Sequence, residues 1–255
     1  STYIDGASIH ALSDGLYGFP IAVDPLMMYW NKDILTTEGH LEPPKTWEFL
    51  INTMFDDVIQ RSFDRTIQRS VVAMGEYSNV RNAFGVISAL TVQGGSNMVT
   101  EDSQGGYVVQ LTTSLDGTGS PLRSAVDFYT RFSRPSNSLY SWNRSFSEDR
   151  QQFLSEDLAI YFGYGSEGSQ IERSNPNLNF DISEIPQGAA DTTRRTYGKF
   201  YALSVLKSSK DSRGAGLVLS GLADPAIADE IALRNNMVPV FRTSVSRGSD
   251  DTYDV

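Results

Sequence analysis

Cysteine is absent from the 255 residues, which removes disulfide staples, thiolate nucleophiles and thiolate zinc sites in one step. A chain of this length builds a core of ordinary size without staples, so the absence does not decide the compartment. Histidine is nearly absent too. His10 and His40 stand alone and far apart, which argues against the HExxH zinc arrangement and against metal catalysis through imidazole. Basic residues are in deficit, 21 Lys plus Arg against 31 Asp plus Glu, for a net charge of −10; that balance opposes attraction to nucleic acid or anionic lipid. No run approaches the roughly 18 apolar residues of a membrane helix, and no basic stretch followed by an apolar one opens the chain. Ser1 is not a natural start, so the sequence reads as processed, trimmed or excerpted. The missing leader therefore carries no argument for the cytoplasm.

What is present is an alternation of short apolar runs and helical patterns. Leu16 to Val23 and Leu26 to Trp30 read as two buried strands. Asp24-Pro25 between them predicts a break at which the chain changes direction or lobe, because proline removes an amide donor and holds its predecessor extended. Thr46 is placed to cap a helix through Phe49, Leu50, Met54 and Phe55. Ala83 to Val92 is helical in pattern and stopped by Gly94-Gly95. The segment 98–113 reads as a hairpin. Ser120-Pro121 predicts a capped helix start, with Leu122, Ala125, Val126, Tyr129 and Phe132 on one face. A short helix around Gln151 to Leu154, strands at Leu158–Phe162, Phe180–Ile185 and Tyr201–Leu206, and helices over Ser212–Leu222 and from Pro225 complete the reading. Strands alternating with helices over the whole length predict the α/β class.

Gly163-Tyr164-Gly165-Ser166-Glu167-Gly168 matches GxGxxG after a predicted strand, the pattern of a dinucleotide turn. Asn175-Pro176 leaves room for little more than two helical turns after it, and Asp181 and Glu184 come too early to serve a ribose. The preferred reading keeps only the close approach of backbone to a polar ligand that small residues allow. Ser166 falls short of a nucleophile elbow, since Tyr164 replaces the first glycine of GxSxG and only two histidines exist as bases. A carboxylate pair for glycoside hydrolysis could be drawn from Asp24, Glu76, Glu148, Glu156 or Glu167, against the plainer reading of solvated surface acids. Aromatics make up 11% of the chain, and most belong to the core. Tyr17, Phe84, Trp142, Tyr164, Tyr197 and Tyr201 stand at strand ends or helix starts, where an α/β fold builds its cleft. Flat apolar faces with a polar rim suit a sugar ring.

Several segments in order resemble the sugar-binding proteins of bacterial ABC importers, the extracellular solute-binding family that includes maltodextrin-binding protein. The specific cluster is Tyr17-Gly18-Phe19-Pro20-Ile21-Ala22-Val23-Asp24, then Tyr29-Trp30-Asn31-Lys32-Asp33-Ile34-Leu35, then Pro44-Lys45-Thr46-Trp47-Glu48. Gly94-Gly95, Phe153 with Leu158-Ala159-Ile160 and Gly163, Tyr197-Gly198, and Val238-Pro239-Val240 keep the family's order more loosely. The resemblance implies a periplasmic-binding-protein type II fold of two lobes joined by crossover strands. On that map 1–24 and 200–239 form a partial first lobe, 25–199 and 240–255 form the second, and the sequence is a fragment.

Carried over residue by residue, the resemblance implies a ligand site at Asp24, Asn82, Phe84, Tyr164, Gly165, Ser166 and Tyr201. Asp24 would accept sugar hydroxyls, Phe84 and Tyr164 would stack, and Gly165-Ser166 would donate from the backbone. Where maltodextrin binders place a stacking Trp this chain has Ser166 with Tyr164 nearby, which points away from maltodextrin itself. The implied function is a non-enzymatic extracytoplasmic receptor, in the periplasm or at the cell surface, that delivers a sugar to an ABC permease. No metal, cofactor or nucleic acid enters it, and a lipid anchor upstream stays open. A carbohydrate-active hydrolase using paired carboxylates and a nucleotide-binding enzyme using Gly163 to Gly168 are the alternatives.

Overall fold

A computed structural model describes residues 2–12, 15–111, 119–191 and 193–248. The end of the expected 98–113 hairpin, and the part of the expected second lobe beyond residue 248, lie outside the described residues. The chain divides into two compact units, Ser1–Pro25 with Tyr164–Ser169 and Gly198–Val255, and Leu26–Gly163 with Gln170–Tyr197.

Asp24-Pro25 does not break a strand. Phe19–Asn31 is one strand of 13 residues that runs straight through the dipeptide. What changes there is the pairing partner. Residues 19–25 lie antiparallel to Gly198–Leu203, with Lys199 opposite Asp24 and Gly198 opposite Pro25, whereas Met27–Asn31 lie antiparallel to Phe180–Glu184. Proline lacks an amide donor, and here it occupies the position where one set of partners ends. It is also where the chain passes from the first unit to the second.

In the first unit the strand is flanked by Gly198–Leu203 and by the two-residue strand Val238–Pro239. Its core is small: Ile21, Ala22, Ala228, Ala232, Val240 and Phe241. Val240 and Phe241 were expected in the second lobe; they pack here because Val238 and Pro239 pair with Val23 and Ala22 immediately before them. The helices are locally well specified. Asp211 accepts from Gly214 N at 2.8 Å and Asp224 from Ala226 N at 3.0 Å, capping Ser212–Leu222 and Pro225–Arg234. Ser212–Leu222 nevertheless buries none of its side chains. With Leu203, Val205 and Leu206 it lines an open apolar groove of about 480 Å³. The expected buried strand Tyr201–Leu206 is instead Gly198–Leu203, with alternate residues half-exposed and Leu206 out in solvent.

The second unit carries the larger core. Phe180–Glu184, the Met27–Asn31 half of the long strand, Leu158–Tyr164, Ile67–Val72 and Gln60–Arg61 succeed one another in its sheet; Ile67–Val72 and Leu158–Tyr164 run parallel. Every residue of Leu158–Tyr164 is buried. Trp142, Tyr29, Tyr161, Phe55, Phe132 and Phe153 are its large, fully buried side chains. Trp142, read as a cleft aromatic, is therefore core, its indole N–H donating to Asn79 Oδ1 at 3.1 Å. Thr46 caps as expected, accepting from Phe49 N at 3.1 Å. Ser120 does not: its side chain makes no cap bond, and the helix Pro121–Arg131 starts on its proline. Ala125, Tyr129 and Phe132 face inward as expected, but Val126 is exposed.

Phe153 packs between Tyr161 and Phe180, at centroid distances of 5.9 and 6.2 Å. Its replacement in Phe153→Ala removes that ring from a closed aromatic cluster and should cost about 3–5 kcal/mol. Equilibrium urea unfolding would show it, and a loss under about 1 kcal/mol would mean the cluster collapses to fill the space.

Candidate functional site

The GxGxxG segment begins on the last residues of the all-buried strand Leu158–Tyr164 and turns through a 3-10 turn, Gly165–Glu167, into the seven-residue helix Gly168–Ser174. Its glycines have packing roles. A Cβ on Gly163 would stand 2.5 Å from the Tyr161 ring and 2.9 Å from that of Tyr29. A Cβ on Gly165 would stand 3.1 Å from the Asn236 carbonyl. Asn236 itself has φ 53 and closes the end of the Pro225–Arg234 helix, and its amide donates to Ser169 Oγ. Six residues, Tyr164–Ser169, are thereby held in the first unit between two long stretches of the second.

Asp24 is the central group. Its side chain, 1% exposed, accepts from Ser166 N at 3.0 Å and from Ser166 Oγ at 2.7 Å, one bond to each carboxylate oxygen. Burial pushes the Asp24 carboxyl above the usual carboxylate range; the two Ser166 bonds and the charge of Lys199 pull the other way, and Glu167 adds to the rise. Glu167 closes the turn on itself by accepting from Tyr164 N at 2.9 Å. Opposite Asp24, the exposed Lys199 places Nζ 3.5 Å from the centroid of the Tyr164 ring, a close cation–π contact. Tyr201, two residues further and on the same face of its strand, is 41% exposed, and burial followed by the Asp24 charge raises its phenol. It stays a neutral donor and acceptor at ordinary pH.

Asp24, Tyr164, Gly165, Ser166 and Tyr201 are thus brought together in the first unit. Their roles differ from those expected. Both Ser166 donors go to Asp24, so neither was left for a ligand, and Asp24 in turn is engaged by Ser166. Tyr164, 4% exposed and with Lys199 over its face, offers little ring to stack on. Lys199 was missed because only the register between strands 175 residues apart puts it opposite Asp24.

Asn82 and Phe84 lie in the second unit. Asn82 sits at the start of the helix Ala83–Gln93 without capping it; its amide donates to Tyr161 Oη and to the Phe162 carbonyl, both at 3.1 Å. It ties the helix start to the strand Leu158–Tyr164. Phe84 is 58% exposed and meets Tyr197 edge to face, at 5.7 Å and 87°. Of the acids considered for a hydrolytic pair, Glu76 bridges Arg144 and Glu148 bridges Arg81. Among the described residues no group of three His, Cys, Asp or Glu could hold a metal ion.

Asp24→Ala leaves the Ser166 amide and hydroxyl without their acceptor and should cost about 1–3 kcal/mol, read by chemical denaturation. Asp24→Asn tests the raised carboxyl. A folded-state pKa above the unfolded one gives stability that is present at low pH and lost as pH rises through the folded value. The melting temperature of Asp24→Asn relative to the wild type should therefore climb as the pH rises above the ordinary carboxylate range in a calorimetric series. A difference independent of pH would show that burial does not disfavour this ion.

Residues 1–251 match the family model described as "Bacterial extracellular solute-binding protein". No curated protein sequence matches the chain. Among solved structures, the chain is similar to the maltose-maltodextrin binding protein of the thermoacidophilic bacterium Alicyclobacillus acidocaldarius, with 13% identity, a TM-score of 0.68, and 98% of this chain and 61% of that one covered. It is similar to the galacto-N-biose-/lacto-N-biose I-binding protein of the ABC transporter from Bifidobacterium longum, solved with lacto-N-biose: 18% identity, TM-score 0.64, coverage 95% and 56%. It is also similar to the ABC transporter associated binding protein from B. animalis subsp. lactis, solved with beta-1,6-galactobiose: 15% identity, TM-score 0.67, coverage 96% and 57%. The chain spans less than two thirds of the length of each of them. The fold is α/β, of the periplasmic-binding-protein type II class, and the chain belongs to the bacterial extracellular solute-binding protein family.

Proposed function

We propose that the protein is an extracytoplasmic receptor that binds a carbohydrate without turning it over and passes it to the membrane permease of an ABC importer. Membership of an extracellular solute-binding family supports the location and the transport role. The sugars held by similar structures, lacto-N-biose and beta-1,6-galactobiose, support the ligand class.

The observation that carries the reading is the state of the GxGxxG turn. Its Ser166 amide, the donor that a phosphate would need, already donates to the chain's own Asp24 carboxylate, and the helix behind it has only seven residues. That favours a neutral ligand over a nucleotide. The hydrolase alternative gains nothing here, because Asp24 is engaged by Ser166 and Glu167 by the Tyr164 amide. The exposed aromatics of the candidate set are Tyr201 in the first unit and Phe84 in the second, and each offers an apolar face that suits a pyranose. Within the first unit Asp24, Tyr164, Gly165 and Ser166 shape the backbone near Tyr201, and within the second Asn82 holds the helix start that carries Phe84. A micromolar affinity, about −8 kcal/mol, needs only a handful of such contacts.

The test is thermal shift, followed by calorimetric titration and product analysis, over neutral mono- and oligosaccharides, amino acids, polyamines and nucleotides. A neutral sugar should raise the melting temperature with no new product formed, and Phe84→Ala should weaken its binding roughly three- to tenfold. Stabilisation by a nucleotide alone, or release of a cleaved sugar, would overturn the receptor.

A further inference from the structure

In the first unit the Lys199 side chain is oriented by a ring rather than by an ion pair at short range. Lys199 is exposed, stands opposite Asp24 in the strand register, and rests its ammonium 3.5 Å above the Tyr164 ring. Among the described residues no carboxylate lies within salt-bridge distance of it. Beside the exposed Tyr201, the other polar side chains of the group are turned on one another. Asp24 has one Ser166 bond on each oxygen, and the Ser166 amide and hydroxyl are the two donors that make them. An ammonium has three N–H donors, and one directed at the ring face leaves the others for another partner. Held in this way, a lysine loses less rotamer freedom on binding than one swinging in solvent.

We infer that Lys199 is the specificity-determining side chain of the sugar site, donating to ligand oxygens from a position set by the Tyr164 ring, and that Asp24 is a positioning residue acting through it and through the Ser166 turn. This rests on the receptor reading above. The charge around Lys199 selects the class of sugar. The Asp24 carboxyl feels both the Lys199 ammonium and the charge of a second carboxyl group, Glu167. A carboxylate or phosphate on the ligand would add a third negative group, so the site takes neutral, hydroxyl-rich sugars and rejects uronates and sugar phosphates. Lysine donates to hydroxyl and ring oxygens alike, so Lys199 sets this charge class without fixing one stereochemistry.

The test compares wild type, Lys199→Met and Lys199→Arg by calorimetric titration against a panel of neutral oligosaccharides, their uronate counterparts and sugar phosphates. For the neutral sugar that binds wild type best, Lys199→Met should weaken binding at least about tenfold, the loss of a hydrogen bond from a charged donor, and Lys199→Arg should recover part of it. The positioning role is read in the double variant. Asp24→Asn should weaken sugar binding in the wild-type background, change it by less than about twofold in Lys199→Met, and alter the ligand-free melting temperature in both backgrounds. Binding by Lys199→Met within twofold of wild type, or a uronate bound more tightly than its neutral parent, would overturn this inference while leaving the receptor standing. If wild type binds no sugar at all, the receptor reading fails and this inference with it.

Discussion

The buried carboxylate of Asp24 is the constraint on which the candidate site depends. It reaches Ser166 across 142 residues of sequence, and Tyr164–Ser169 is a short excursion into the first unit between two stretches of the second. Ordering such an excursion has an entropic cost of about 1–2 kcal/mol per residue, and six residues with two glycines contribute little apolar surface to offset it. Charge-assisted hydrogen bonds donated to an almost fully buried carboxylate are among the few interactions strong enough to fix the turn. The Asn236 contacts at Gly165 and Ser169 hold its other side. The geometry of Tyr164, and hence of Lys199 above it, follows from that anchoring.

The same carboxylate explains why burial does not simply expel the charge. An isolated carboxylate in a closed environment would take up a proton, and the rise in the Asp24 carboxyl shows that pressure. Opposing it are the two Ser166 donors and the Lys199 ammonium. Neither source of support is dispensable to the other, because the ammonium lies opposite Asp24 only through the strand pairing, and the serine donors are present only while the turn is held. A buried ion kept by neighbours in this way specifies one arrangement of the local backbone more than it stabilises it.

Much of the scaffold was legible because the signals were local. Thr46 and Asp224 cap the helices that their positions predicted, Asp211 caps the helix read from Ser212, and Gly94-Gly95 ends the helix begun at Ala83. The α/β class followed from the alternation of strands and helices. Two readings failed and one residue was missed for a common reason, that contacts between distant segments are invisible in a single sequence. Asp24-Pro25 looked like a break because nothing local says that the missing amide falls where one partner strand gives way to another. Trp142 looked like a cleft residue, yet Asn79, 63 residues away, takes its indole N–H into the core. Lys199 carried no signal, since its place beside Asp24 exists only in the pairing of Gly198–Leu203 with Phe19–Pro25. Tyr201–Leu206 was read as buried from its apolar content, and the side chains beyond Leu203 line an open groove instead.

The GxGxxG segment shows how a motif can keep its geometry and lose its usual ligand. In a dinucleotide turn the glycines admit a pyrophosphate to backbone amides at the start of a long helix. Here Gly163 is small because the rings of Tyr161 and Tyr29 occupy the space beside it, Gly165 because the Asn236 carbonyl does, and the helix that follows is two turns long. The anion at the turn is the protein's own. An internal carboxylate satisfies the Ser166 amide permanently, at no concentration dependence, and its charge repels any second anion. A turn so occupied is converted from a phosphate cradle into a rigid, locally acidic platform, and what such a platform can present to a ligand is the Lys199 cation held above it and the exposed Tyr201 next to it. That combination, donor and flat apolar face without a free anion hole, is what the proposed sugar receptor would use.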